Sequence, residues 1–243
     1  MCYEYYDIEA RYRKEIDDGD TRCCWCCSSF IVTFFNYVNT KESPCEGFTI
    51  SLVPKRFPIF SYIPPTKDEI NDILLPLIDQ YRKENPETIT TNVVANWRSG
   101  WSVQNDPRFS FFVEWISNQI SFLCVEYLRR QYMVHCSNMW IMQYEKNDYA
   151  QAHDHFPSAF SCVYYADVEE GCSPILFEGK HEIHPESGMV IIFPSVLMHE
   201  VPPTEKKRTV ISMNFEVTGR TWDTSQVRKI EYDHSKYESI MLP

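Results

Sequence analysis

The feature that most limits what this chain can fold into is a change of period. From Cys136 to Val217 apolar residues recur at every second position in short runs, and turn-forming residues separate the runs. A period of two puts alternate side chains on opposite faces of a strand. Met139 to Tyr144, Phe160 to Ala166, Ile175 to Phe177, Gly188 to Phe193 and Arg208 to Val217 therefore read as strands. Asn147-Asp148, Glu170-Gly171, Pro185 to Gly188 and Pro202-Pro203 supply the turns.

Ahead of these strands the period is helical. Thr66, with Glu69 three residues on, predicts a capping box. The helix it opens carries its apolar stripe on Ile70, Ile73, Leu74, Leu77 and Ile78. A second helix is predicted from about Pro107 to about Arg130, apolar through Phe111, Trp115, Ile116, Ile120, Leu123 and Leu128. Ile50 to Phe60 alternates but contains Pro54 and Pro58, which predicts an edge strand. Residues 92–105 read as a connection anchored by aromatic side chains. Helices followed by a series of short strands predict an α+β chain: an antiparallel, cupin-like jelly roll backed by N-terminal helices.

Residues 47–220 are predicted to form that domain. Residues 1–46 read as a cysteine-rich N-terminal extension without clear periodicity, and residues 221–243 as a C-terminal tail. Cys23-Cys24-Trp25-Cys26-Cys27 overlaps two C-x-x-C pairs, which is half of a zinc site. No second pair is near, so a disordered leader is the first reading, with zinc binding or lipid modification as alternatives. Cys124, Cys136, Cys162 and Cys172 read as small buried apolar residues.

Charge removes one class of partner. With 34 acidic against 23 basic residues the chain carries a net charge of −11, which opposes non-specific binding to nucleic acid. No apolar run reaches the roughly 18 residues that span a membrane. The charged first residues contain no apolar signal-peptide core. A cytoplasmic location is expected, or the host cytoplasm if the source is viral.

The chemistry concentrates in three histidines. His153 and His155 flank Asp154, and His199 follows the run Met189 to Phe193 and the Pro194-Ser195 turn. On a regular strand His153 and His155 face one side and Asp154 the other. A jelly roll brings the end of one strand beside an earlier strand, so His199 can join the pair. One such histidine alone would read as an ordinary polar residue. Three in this arrangement read as metal ligands, and imidazole suits iron, zinc, copper and nickel. His135, His181, His184 and His234 have no comparable context.

Arg208 opens the last long strand and shares a face with Val210, Ser212 and Asn214. If that face looks inward, the guanidinium needs an anionic partner, and a dicarboxylate whose other end chelates the metal would serve. If it looks outward, Arg208 simply continues the solvated turn of Lys206 and Lys207. Ser161, Val163 and Tyr165 share a face of their own strand, and Tyr144 precedes the histidine pair. Tyr165 and Tyr144 could each donate a phenol to the same carboxylate, or serve as core aromatics.

The segments Trp140 to Tyr144, Asp148-Tyr149, His153-Asp154-His155 and Ser161 to Tyr165 resemble those of iron(II)- and 2-oxoglutarate-dependent oxygenases. Phe193-Pro194-Ser195, His199-Glu200-Val201 and Arg208 to Asn214 follow in the expected order. The likeness is greatest to an oxygenase group of bacteria and tailed phages that is distantly similar to prolyl hydroxylases. Asn96 to Trp101 also looks like that group's segment ahead of its long helix. The likeness spans roughly residues 48 to 217.

It implies a double-stranded β-helix core, with iron(II) held by His153, His155 and His199. It implies 2-oxoglutarate held by Arg208 with Tyr165, Tyr144 and Ser161, and Asn214 on the substrate side. The implied activity is hydroxylation of a peptidyl side chain or a small molecule using O2, with ascorbate as an assay additive. The departure from the common pattern is His155, which stands where two-histidine, one-carboxylate sites carry an acid. A β-bulge would be needed to turn Asp154 inward. A three-histidine dioxygenase that needs no 2-oxoglutarate, and a non-catalytic jelly-roll binding module, are the alternatives.

Overall fold

The computed structural model describes residues 49–53, 57–128 and 132–218. The extension 1–46 with its cysteine cluster and the tail 221–243 lie outside the described residues. Two strands, β1 (Thr49–Val53) and β2 (Phe57–Tyr62), precede helix α1 (Lys67–Glu84). Two short strands follow, β3 (Val93–Val94) and β4 (Trp97–Arg98), and then helix α2 (Ser110–Leu128). The C-terminal half holds β5 (Met133–Tyr144), β6 (Tyr149–His153), β7 (Phe160–Val168) and β8 (Ile175–Phe177). It continues with β9 (His181–Ile183), β10 (Val190–Pro194), β11 (His199–Val201) and β12 (Arg208–Thr218).

These strands make a large sheet in the order β1-β2-β10-β7-β12-β5-β4 and a small one in the order β3-β6-β11-β8-β9. From β5 onward the chain crosses between the sheets at every step except β8 to β9. That winding is the expected double-stranded β-helix.

The large sheet is covered on both sides, so its central strands are buried along most of their length and their burial does not alternate. The first seven residues of β7 and all of β10 are buried. Cys162, Tyr164, Ile192, Ile211 and Met213 pack on one side against Ile70, Leu74 and Ile78 of α1 and Phe112, Ile116 and Ile120 of α2. Val163, Tyr165, Ile191, Phe193 and Val210 face the small sheet. Each large apolar side chain buried this way stabilises the fold by about 1.5–3 kcal/mol. The four cysteines from Cys124 to Cys172 are free and buried, as their neighbours predicted.

Several local expectations change. Thr66 makes no side-chain capping bond, so the predicted capping box does not form. Asp68 and Glu69 still place negative charge at the positive end of α1. Ile73 is 40% exposed, leaving Ile70, Leu74 and Ile78 as the buried stripe. In α2 the residue at the core is Phe112, and Phe111 is only partly buried. The predicted edge strand is two strands: β2 pairs with β1 on one side and β10 on the other. Residues 92–105 carry β3 and β4, one for each sheet, too short to produce a periodic signal. Among the described residues no helix is long and apolar enough to cross a membrane.

Candidate active site

Cross-strand register decides which side chains meet. Arg208, Val210 and Ser212 of β12 stand opposite Tyr144, Met142 and Trp140 of β5. Val210, Ser212 and Asn214 stand opposite Tyr165, Val163 and Ser161 of β7. Directly paired residues point to the same face. One face of the large sheet therefore presents two tyrosines, a tryptophan and an arginine toward the small sheet. A cavity of about 170 Å³ lies between them.

The three histidines meet on the small-sheet side of this cavity. His199 of β11 is the direct partner of His153 of β6. Their ring centroids are 4.3 Å apart. His155 lies just beyond the end of β6, where its N–H donates to the Ser195 carbonyl at 2.7 Å. Its ring centroid is 5.1 Å from that of His153 and 4.9 Å from that of His199. One ligand nitrogen from each ring falls within 4.8 Å of the other two. Asp154 is exposed, and its Oδ1 accepts from the Phe156 N–H at 3.2 Å. The acid lies at the cavity rim and outside the ligand cluster.

The hydrogen bonds assign the tautomers. His153 Nδ1 lies 2.6 Å from the Gln151 carbonyl and His199 Nδ1 lies 3.0 Å from the Leu197 carbonyl. A carbonyl only accepts, so both Nδ1 atoms carry the proton and Nε2 keeps its lone pair. His155 Nδ1 is 2.9 Å from Ser161 Oγ, and that hydroxyl donates to Asn214 Oδ1 at 3.0 Å. The serine proton is committed, so His155 Nδ1 donates to Ser161. Ser195 Oγ joins the same network at 2.8 Å from Ser161 Oγ.

Electrostatics favour the neutral rings. Burial, and then the neighbouring rings His153 and His155, hold His199 well below the usual imidazole range. Burial, followed by His153, pulls His155 to about 4. Burial also lowers His153. Three neutral imidazoles with their lone pairs directed at one region form a donor set suited to a transition-metal ion.

Arg208 faces inward and is 2% exposed. Its Nη1 donates to the Ser173 carbonyl at 2.8 Å, and its Nε has no partner among the described residues. The guanidinium carbon lies 4.6 Å from the Tyr144 ring centroid and 6.0 Å from that of Tyr165. Burial raises the pKa of Tyr144 and, more than Arg208 lowers it, pushes that of Tyr165 up to about 12. Both phenols therefore keep their protons and can donate.

Ser161 and Asn214, expected among the cosubstrate and substrate contacts, do not line the cavity. They stand behind His155 and orient its ring. A serine or asparagine that faces a ligand and one that faces a ligand's support have the same strand parity, so spacing could not separate these roles.

Arg98, Trp101 and Trp140 also line the cavity. None of them was picked out from the sequence as a site residue. Arg98 pairs across β4 and β5 with Met142 and so points to the same face. It is 1% exposed, and its guanidinium carbon sits 3.8 Å from the Trp101 ring centroid and 5.8 Å from that of Trp140. A desolvated cation–π contact contributes up to about 2 kcal/mol. That is less than the several kcal/mol that desolvating an ion costs. The available signal was a cation between two tryptophans, Trp97-Arg98-Ser99-Gly100-Trp101, in an acidic chain.

Among solved structures the chain is similar to a prolyl-4-hydroxylase from Pseudomonas putida, at 15% identity and a TM-score of 0.47, over 66% of this chain and 93% of that one. It is also similar to a prolyl hydroxylase from Trichoplax adhaerens, in complex with a peptide fragment of the hypoxia inducible factor oxygen degradation domain. That match has 16% identity and a TM-score of 0.48, over 87% of this chain and 98% of that one. A third is the viral collagen prolyl hydroxylase of Paramecium Bursaria Chlorella virus-1 in its 2OG complex. It matches at 14% identity and a TM-score of 0.45, over 60% of this chain and 90% of that one. No protein-family model and no curated protein matches the chain. The chemistry therefore rests on the residues of the site.

Proposed function

We propose that this chain is an iron(II)- and 2-oxoglutarate-dependent oxygenase that hydroxylates a peptidyl side chain or a small molecule. One observation carries the reading: three neutral imidazoles converge on the cavity into which a buried arginine, without an acidic partner among the described residues, also points. His153, His155 and His199 would hold the metal through Nε2. Iron(II) and 2-oxoglutarate, when bound, supply the oxidising chemistry: O2 is consumed, the oxoacid becomes succinate and CO2, and the substrate gains a hydroxyl.

The protein's own part is placement. Arg208 takes the far carboxylate of the oxoacid through its free Nε–H, and Tyr144 and Tyr165 flank the same group as donors. Val163, Ile175 and Val210 give the cavity apolar walls that keep bulk water from the reacting groups. Ser161 and Asn214 hold the His155 ring with its lone pair forward.

The test is anaerobic titration of the purified chain with iron(II) and then 2-oxoglutarate, followed by succinate measurement in air. A visible charge-transfer absorption should appear only when both are present. His199→Ala should abolish metal binding. Arg208→Gln should weaken 2-oxoglutarate binding by roughly 10- to 100-fold, the loss of one or two charge-assisted hydrogen bonds. A chain that binds metal but shows no 2-oxoglutarate-dependent absorption and makes no succinate would overturn the proposal. His155 in place of an acid favours one second reading, a three-histidine dioxygenase that uses no 2-oxoglutarate. It requires Arg208→Gln to leave activity intact.

A further inference from the structure

We infer that Arg98 is a second anion anchor, which holds an oxyanion of the substrate, a carboxylate or a phosphate, beside the metal position. Its Nη1 donates to the Ser99 carbonyl at 3.2 Å. Nε and Nη2 are buried and have no hydrogen-bond partner among the described residues. Those two N–H groups lie along one edge of the guanidinium, the edge that grips an oxyanion with two parallel hydrogen bonds. The Trp101 ring holds the plane from one side, and Trp101 is itself 41% exposed, so the anchor sits near the mouth through which a substrate enters.

The two arginines serve different flanks. The Arg98 guanidinium lies 5.8 Å from the Trp140 ring, which is itself 5.4 Å from the His155 ring, whereas the Arg208 guanidinium lies against the Tyr144 and Tyr165 rings. The balance of charge points the same way, and here the inference rests on the proposed oxygenase reading. Iron(II) brings two positive charges, three neutral histidines bring none, and Arg208 adds a third. The 2-oxoglutarate dianion offsets two. A carboxylate ligand in place of His155 would have offset another. Arg98 adds one more positive charge, and the only carboxylate among the described lining residues is Asp154, exposed at the rim and bonded to the Phe156 N–H. An anionic substrate completes this cavity; a neutral one leaves the Arg98 edge desolvated and unpaired.

The experiment uses the full chain loaded with manganese(II) and saturated with 2-oxoglutarate. Acetate, phosphate and, as a neutral control, acetamide are titrated in separate arms. Binding is read by calorimetry and by the change in tryptophan fluorescence expected because Trp101 and Trp140 line the cavity. Acetate or phosphate should bind one site per chain that further 2-oxoglutarate does not displace, and the tighter of the two identifies the substrate's group. Arg98→Gln should weaken that site at least about 10-fold, the loss of roughly one charge-assisted bond, with 2-oxoglutarate affinity unchanged. Arg98→Lys, which keeps the charge without the fork, should weaken it by a smaller factor, and it decides the matter if the glutamine variant does not fold.

Three results would overturn the inference. The first is that no anion binds beyond 2-oxoglutarate itself. The second is that both variants bind as the parent does. The third is that Arg98→Gln weakens 2-oxoglutarate as much as Arg208→Gln, which would assign Arg98 to the cosubstrate. Failure of the oxygenase reading looks different: the parent then takes up no 2-oxoglutarate. The anion titration of the metal-loaded chain still reports on Arg98 in that case.

Discussion

At the scale of single residues the site depends on proton placement. His155 presents a lone pair to the cavity only because Ser161 accepts its Nδ1 proton, and Ser161 can accept because its own proton is committed to Asn214. Ser161 is 1% exposed, so water cannot readily replace its hydroxyl. Ser161→Ala should therefore weaken metal binding by about 10- to 100-fold, the range for losing a ligand's supporting hydrogen bond. Calorimetric titration with manganese(II) measures this, and unchanged affinity would show that the serine does not set the ring. His153 and His199 take the same support from backbone carbonyls, which side-chain substitution does not remove.

At the scale of elements, the turn before β10 matters because it sets where that strand enters the large sheet. Gly188 adopts φ +85°, a backbone conformation that side chains with a Cβ rarely adopt. A Cβ there would also lie 2.5 Å from Cβ of Lys67, the first residue of α1. The clash is with the base of a side chain and not with its flexible end. Its N–H donates to the Tyr165 carbonyl at 2.7 Å, which ties the turn to the strand carrying a cavity phenol. Gly188→Ala should destabilise the fold by about 1–3 kcal/mol, measured as a lower urea midpoint at unchanged slope. A neutral result would mean that α1 and the turn separate without penalty.

At the scale of the molecule, the histidine cluster links metal, protons and stability. Three imidazoles are held neutral below their unfolded pKa of about 6.5 by burial and by one another. Between that value and about 4, the position of His155, the unfolded chain binds more protons than the folded one. Stability therefore rises with pH across this window and is lost as pH falls through it. His155 alone contributes on the order of 3 kcal/mol across the full window. Glu84, Asp106 and Glu205 have lowered pKa values through their partners Arg108 and Lys146, so their contribution disappears only below the ordinary carboxylate range. Metal-free protein should lose stability between pH 6.5 and 4.5, and bound metal should raise stability most at the upper end, where no proton competes. Urea midpoints at pH 7.5 and 5 with and without manganese(II) test this. His199→Gln should flatten the metal-free profile, and an equally steep profile in that variant would place the proton linkage elsewhere.

What the chain's order of residues determined by itself was the set of local periods and the kinds of donor. Short apolar runs bounded by turn residues after Cys136 specify strands, helical stripes specify the two helices, and three histidines around a strand–turn boundary offer a donor set that could hold a metal. These are readable because each depends on neighbours a few positions apart. The tertiary structure alone decided register and burial. It paired His199 with His153, moved Ser161 and Asn214 behind His155, and turned Arg98 inward opposite Met142. Two buried arginines in one cavity, without acidic partners among the described residues, cannot be seen in a sequence, because whether a charge is paired depends on segments that meet only after the sheets have closed.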